Sequence, residues 1–512
     1  YLQASAALAI VIALLPTPAS ARAVTCSGKT ATIVGTAQAD DLEGTAGPDV
    51  IFTGAGDDKV DSLAGGDLIC GGGGDDTIDG GAGGDILLGG DGNDDLIGYG
   101  GPTFSEDGPD VLAGGNGSDF LSGLAGDDVL NGGANPSGGF GDTAIFYNRA
   151  LVTLRGGSAA GVEGNDTLTG VENVFGSDDP DVIIGDDGVN IVTGFGGDDQ
   201  IWGRGSNDFL DGGEGNDLIY GGEGTVDAVD YFFSAAGATV DLAAGTAQVS
   251  GETDQVEGVE LVFGTPFGDV LRGDAAHNYF EGGLGDDTID GRGNFDLASF
   301  QNGPAVNVDL TAGVASGQGS DSLAGIENVL GSEETDTITG DTKTNLLMGA
   351  SGADVLSAGG GDDYVLADPS DSAAGGDGTY DLISFGLSGS GVSVDLIAGT
   401  MHSVADDGSI TGFEAVKGSS FADRLIGDLA INYLTGGDGN DFLQGNEGDD
   451  RLDGEAGSDR IKGDDGDDGC RGEAEDGCES DARPPEHPLA AEALLAERQL
   501  GHRQLGHRQL GH

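Results

Sequence analysis

The sequence predicts an all-β chain, wound as a parallel β-solenoid from short stacked repeats. Three observations predict it. From Gly35 to Ile97 the chain divides without a gap into nonapeptides: GTAQADDLE, GTAGPDVIF, TGAGDDKVD, SLAGGDLIC, GGGGDDTID, GGAGGDILL and GGDGNDDLI. Position six is Asp in all seven (Asp40, Asp49, Asp58, Asp67, Asp76, Asp85, Asp94), and position eight is aliphatic in all seven (Leu42, Ile51, Val60, Ile69, Ile78, Leu87, Leu96). Glycine, 102 of 512 residues, gathers in the first half of the unit and fills position four in six of the seven. So strict a period marks a repeat architecture, in which each unit buries its apolar face only against its neighbours.

The last three residues of a unit, such as Thr77-Ile78-Asp79, suit a three-residue strand with one side chain opposing two. The first six suit a turn, where glycine supplies positive φ or lets backbones approach closely. A strand so short cannot stand alone. Two units make strand, turn, strand, turn, which is one coil of a flattened helix. Coils stacked about 4.8 Å apart place position eight between two parallel sheets, with Ile78 and Leu87 entering the core from opposite sides.

The repeat returns at 114–131, 176–220, 264–290, 331–366 and 418–471, giving 27 units in clear phase. In each of the last four blocks the second unit has Asn at position six: Asn190, Asn278, Asn345 and Asn432. The spacers repeat as well. "GATVDLAAGTA" (237–247), "AVNVDLTAGVA" (305–315) and "GVSVDLIAGTM" (391–401) match one another and alternate as short strands do. Asp142, Asp227, Asp296 and Asp381 align as the starts of copies 85, 69 and 85 residues apart. The expected organisation is a leader (1–23), a first nonapeptide block (24–141), four copies (142–226, 227–295, 296–380, 381–481) and a tail (482–512).

The leader has an apolar run from Ala6 to Leu15, then Pro16 and small residues, as in the core and cleavage region of a secretory signal peptide. It lacks a basic start and begins at Tyr1, so a few residues are expected to precede it; cleavage is expected after Ala21 or Ala23. The run is about half the length that spans a bilayer. A secreted or cell-surface protein without a membrane span in the mature chain is the expectation. Four cysteines suit an oxidising compartment, and pairing Cys26 with Cys70 and Cys470 with Cys478 would clamp both ends of the repeat region. The tail has no Asp, repeats RQLGH three times and holds four of the six His; disorder is expected there rather than metal capture by His502, His507 and His512.

The formal net charge is −72, from 91 acidic and 19 basic residues. Such a field repels nucleic acid and anionic membranes and attracts cations. With 37% hydrophobic residues the chain is still rich enough to fold. Stacked coils bring Asp76 beside Asp94 and Asp67 beside Asp85, rows that repel unless a cation lies between them. Two Asp side chains and several turn carbonyls would supply the six to eight oxygens calcium prefers, whereas magnesium demands a stricter octahedron. The alternative is that these Asp residues only shape turns. The expected ligands are the seven above with Asp119, Asp128, Asp181, Asp199, Asp208, Asp217, Asp269, Asp287, Asp336, Asp354, Asp363, Asp423, Asp441, Asp450 and Asp459. Gly56, Gly74, Gly92, Gly215 and Gly439 are the expected turn glycines of these sites. The Asn units are expected to mark weaker or empty half-sites.

The motif GGxGxDxUx, with U aliphatic, resembles the repeats-in-toxin, or haemolysin-type, calcium-binding family over about 35–471. The resemblance implies a right-handed parallel β-roll with calcium in its turns, unfolded without calcium and folded after export. Family members often leave the cell through an uncleaved C-terminal signal; the N-terminal leader here points to the general secretory route instead. Many also carry a protease, lipase or cytolysin. Here HExxH and GxSxG are absent, and SGKT at 27–30 lacks the upstream Gly of a phosphate-binding loop, having Ala23 there. "DDGDDGCRGEAE" (464–475) approaches an EF-hand loop but reads as a final nonapeptide with Cys470 at the core position, and His277 reads as a turn residue. The expectation is a non-enzymatic calcium-binding scaffold, structural or adhesive, with surface or matrix polysaccharide or protein as further partner. A secreted enzyme using the roll as a module is the alternative. A polysaccharide- or ice-binding solenoid is the third reading, against which the outward positions are mixed (Thr77, Asp79, Ile86, Leu88).

Overall fold

A computed structural model describes residues 24–99, 107–135, 139–472, 474–478, 484, 485, 487 and 489. The leader, and most of the tail with His502, His507 and His512, lie outside them. Every regular element among the described residues is a strand, and no helix there is long and apolar enough to cross a membrane. The chain divides into two compact units, one up to Asp142 and one from Thr143 onward; the four aligned copies fall in the second.

In the first unit the strands stack as two parallel ladders. One runs Asp41–Thr45, Lys59–Leu63, Thr77–Asp79, Asp95–Ile97 and Phe120–Ser122. The other runs from Ile33–Val34 through Leu68–Gly73 and Ile86–Asp91 to Val129–Ala134. The nonapeptide sets the register: Ile78 faces Val60 on one side and Leu96 on the other, two units away each time. Position eight is the interior. Ile51, Ile69, Ile78, Leu87, Leu96, Leu112, Leu121 and Leu130 are all completely buried, each worth roughly 1.5–3 kcal/mol of hydrophobic stabilisation. A disulfide joins Cys26 to Cys70, with Cα atoms 5.7 Å apart.

The second unit keeps one ladder uninterrupted from Thr143–Ile145 to Gly469–Arg471. The spacers go into the other. Thr239–Asp241, Thr246–Val249 and Glu252–Glu257 form an antiparallel meander. Its first strand pairs parallel with the next coil (Val240 with Leu271) and its last with the preceding one (Val256 with Ile219). Because the first and third strands of a meander point the same way, the insertion lengthens this sheet without breaking its direction. The same device recurs at 150–169, 307–324 and 393–411. Cys470, buried at the core position, is bonded to Cys478.

The outward positions of the uninterrupted ladder depart from the mixed pattern expected of them. Tyr279, Leu297, Leu346, Met348, Tyr364, Leu366 and Leu382 form a second apolar cluster, which includes Leu489. His487 lies against Tyr364 and Tyr380, ring centroids 5.4 and 5.5 Å apart, and Tyr380 Oη donates to the Pro485 carbonyl at 2.5 Å. Pro485, His487 and Leu489, the last of them buried, thus lie against apolar surface that position eight alone does not account for.

Candidate metal centre

Each coil ends in a turn whose position-six Asp points inward. Its Oδ1 accepts the backbone N–H of position six in the preceding coil. Asp58 donates to Asp76 (2.8 Å), Asp76 to Asp94 (2.9 Å) and Asp94 to Asp119 (2.8 Å). The opposite edge repeats this from Asp49 to Asp67, Asp85, Asp110 and Asp128, at 2.7–2.8 Å. These carboxylates are buried, Asp76, Asp85 and Asp94 being 1% exposed.

The other oxygen divides the expected ligands into classes. In Asp58, Asp67, Asp76, Asp85, Asp94, Asp119, Asp199, Asp208, Asp217, Asp354, Asp363, Asp441 and Asp450, Oδ2 is buried with no protein donor. Asp128, Asp287 and Asp459 occupy the same ladder position. Asp40, Asp49, Asp181, Asp269, Asp336 and Asp423 differ, because Ser or Thr at position two of their own turn engages the carboxylate. Ser177 N–H and Oγ donate to Asp181 Oδ2 at 2.7 and 3.0 Å, and Thr45 N–H and Oγ1 to Asp49 Oδ2 at 2.7 and 2.8 Å. Thr36, Thr265, Ser332 and Ser419 do the same for Asp40, Asp269, Asp336 and Asp423. In the Asn turns Oδ1 likewise accepts the position-two N–H, at 2.9 Å from Asp186 to Asn190, while Nδ2 donates to a carbonyl in Asn190 and Asn345 and is buried without an acceptor in Asn278 and Asn432.

Position two explains the difference. Where it is left-handed its N–H turns away from its own carboxylate: that of Gly54 (φ +123°) donates to the Gly71 carbonyl at 3.2 Å and that of Gly81 (φ +71°) to Asp79 Oδ1 at 2.9 Å, and Asp58 and Asp85 Oδ2 are left without a donor. A Cβ on Gly71 would collide with Asp76 Oδ2 and lie 2.7 Å from the Gly89 carbonyl oxygen; on Gly89 it would meet Asp94 Oδ2 and the Gly114 carbonyl in the same way. At Gly71 and Gly89, carboxylate and carbonyl oxygens therefore converge on a cradle where no Cβ stands, whereas Thr53 and Ser62 hold the same place beside Asp58 and Asp67 and turn their hydroxyls to the Gly71 and Gly80 carbonyls. The position-four glycines Gly56, Gly74, Gly92, Gly215 and Gly439 are all left-handed, and a Cβ on Gly74 would strike the Gly56 carbonyl.

Burial raises carboxylates of both classes, and hydroxyl-bonded Asp269 reaches about 6 as Asp76 does. Burial, with repulsion from neighbouring carboxylates and against the accepted N–H, pushes Asp76 up to about 6, Asp94 and Asp217 to about 7, and Asp199 and Asp208 to about 8. Oxygens that are buried, anionic and without donors are the expected lining of a hard-cation site. Among the described residues no three His, Cys, Asp or Glu side chains converge on one point. A calcium ion would thus be held by few carboxylates at a time, such as Asp76 and Asp94, together with glycine carbonyls. Bound there, it supplies positive charge and takes up the oxygens the chain leaves unsatisfied.

Sequence reasoning missed ladder members, most of them outside the clear nonapeptides. Asp110, Asp254, Asp321 and Asp371 accept the position-six N–H of Asp85, Asp217, Asp287 and Asp354, and Asp468, position six of the last in-phase unit yet not among the expected ligands, accepts that of Asp450. Asp142, Asp227, Asp296 and Asp381, used only to align the copies, do so for Asp119, Asp208, Asn278 and Asp363. Asp468 was legible from the phase of the last unit, and for the others only the alignment of those copy starts gave a hint.

The profile of the RTX calcium-binding nonapeptide repeat matches residues 34–69, 71–102, 104–135, 169–225, 263–298, 330–365 and 417–476. No curated protein matches the chain. The repeat matches cover more than half of the sequence, and with the stacked parallel ladders and the glycine-lined aspartate turns they make this chain a member of the RTX calcium-binding nonapeptide repeat family, a calcium-binding β-roll protein.

Proposed function

We propose that the chain is exported, folds outside the cell as calcium binds, and serves there as a structural or adhesive element without a catalytic centre of its own. The observation that carries this reading is the ladder of buried Asp oxygens without protein donors. Rows of like charge so desolvated oppose folding until a cation joins them. Extracellular calcium is abundant enough to load such turns, and two disulfides suit an oxidising compartment. The test has two parts. Far-ultraviolet circular dichroism in EDTA and then in millimolar calcium is expected to pass from coil to β; an unchanged spectrum defeats calcium-driven folding. Fractionation of cells expressing the full chain is expected to find it in the medium or on the surface, retained with calcium and released by EDTA. A panel of ester, peptide and glycan substrates is expected to show no turnover; turnover abolished by one substitution replaces this reading with an enzyme.

A further inference from the structure

One cleft in the unit from Thr143 is not used by the calcium turns. On the outward face of the interrupted sheet, Ile184, Trp202 and Tyr220 lie side by side on adjacent parallel strands. Trp202 is the one Trp of the chain; its ring is parallel to that of Tyr220 within 9°, centroids 5.9 Å apart. With Arg155, Asp187, Arg204 and Glu223 it lines a cleft of about 800 Å³.

The next copy shows what belongs beside the arginine. Arg204 is position two of its nonapeptide, two residues past Trp202. Arg292 holds the equivalent place in the next copy, after the strand Thr288–Asp290. The chain path matches on both sides. Strand Ala150–Thr153 pairs with Val182–Ile184, which pairs with Gln200–Gly205; strand Thr239–Asp241 pairs with Val270–Arg272, which pairs with Thr288–Asp290. Arg292 grips Asp241 through both terminal nitrogens, at 2.9 and 2.7 Å. The residue equivalent to Asp241 is Thr153, which has no carboxylate. Among the described residues Arg204 makes no ion pair or side-chain hydrogen bond. Arg155 meets only Asp187, 3.4 Å away, and both side chains are more than half exposed. In a chain with 91 acidic and 19 basic residues, a guanidinium whose internal partner has been replaced, beside the one Trp, is a vacancy for a carboxylate from outside.

We propose that this cleft binds an acidic saccharide, a pyranose ring lying against Trp202 with its carboxylate taken by Arg204 in the manner of Asp241 and supported by Arg155. Guanidinium and carboxylate match in a planar two-bond fork. An aromatic wall with a few placed polar groups is the usual make-up of a small-ligand site. The assignment rests on the extracellular reading, since it names the class of matrix polymer that an adhesive element would hold.

Trp202 reports on its own site, so the test is a fluorescence titration of the calcium-loaded full chain with trigalacturonate. A saturable change is expected, about tenfold or more weaker with Arg204→Gly. Glycine relieves the left-handed backbone at that position (φ +89°), so folding is retained. Thr153→Asp, which restores the internal partner, is expected to block binding as well, with the calcium-induced dichroism unchanged. The fully methyl-esterified trimer and a neutral glucose trimer are expected not to bind. No fluorescence change, equal affinity in both variants (as calcium-bridged adsorption to the Asp turns would give), or tighter binding of a sulfated trisaccharide overturns the proposal. The two readings fail separately: a chain that is not exported defeats the extracellular reading with the titration intact, and a silent titration defeats the cleft with export intact.

Discussion

In the block from Thr53 to Ile97 the position-six carboxylates Asp58, Asp67, Asp76, Asp85 and Asp94 keep a buried oxygen without a donor. In the turns that open the four later blocks, Asp181, Asp269, Asp336 and Asp423 have both oxygens bonded, one to their own Ser or Thr and one to a backbone N–H from the preceding spacer (Ala150, Ala238, Val306 and Val392). The motif letter is the same and the chemistry is not. A left-handed residue at position two exports its N–H and leaves an anionic oxygen for a cation. A Ser or Thr there turns the N–H and hydroxyl inward, and the turn is complete by itself. Each of these four blocks therefore starts with a turn whose carboxylate oxygens both have protein donors, unlike the turn of Asp119 that opens the block at 114–131.

Withdrawing calcium is the largest test of this contrast. EDTA is expected to abolish most of the β-signal, while hydrogen exchange stays slowest at the block-opening turns such as Ser419–Asp423; uniform loss of protection would erase the distinction. Acid is next. The apo fold holds Asp76 near 6, Asp94 near 7 and Asp199 near 8, raised by burial above the value of about 4 in an unfolded chain. The folded state thus binds more protons, so this contribution favours folding fully below about pH 4 and is lost as pH rises through 6 to 8. In EDTA, β-structure is expected to increase as pH falls from 8 towards 5, and the calcium midpoint to move to higher concentration over the same range as protons compete. A pH-independent midpoint refutes it.

Single substitutions sharpen the comparison. Leu87→Ala, in a fully buried position, is expected to cost about 2–5 kcal/mol in the calcium-loaded state, read by denaturant midpoint. Asp94→Asn is expected to lower the number of calcium ions bound, measured by equilibrium dialysis, whereas Asp423→Asn leaves it unchanged; equal losses would show that the hydroxyl-capped turns bind calcium too. The smallest effect belongs to Ser332→Ala, which removes a 2.9 Å hydroxyl bond to Asp336 and is expected to cost about 1 kcal/mol.

Much of this was legible before any coordinates, because period nine ties strand, turn and charge to fixed positions. Ile78 and Leu87 read directly as core, and the Asp of every in-phase unit read directly as a turn residue. Phase counting failed wherever the spacing changed. Asp110 follows Asp85 by 25 residues, Asp321 follows Asp287 by 34, and Asp254 follows Asp217 by 37, yet each takes the same ladder place. The outer apolar face was missed for a related reason. Thr77 and Asp79 in the first block suggest polar outward positions, while the units holding Tyr279, Leu346 and Tyr364 place apolar side chains there.

From the sequence alone came the coil, its interior and the demand for a hard cation, since these follow from residue type at a fixed repeat position. Tertiary structure decided which carboxylates still lack donors, how antiparallel meanders rejoin a parallel ladder, and that Arg204 stands where Arg292 has a partner and it has none. Those depend on which backbone groups and strands from distant segments arrive beside a side chain, and a local period carries no record of that.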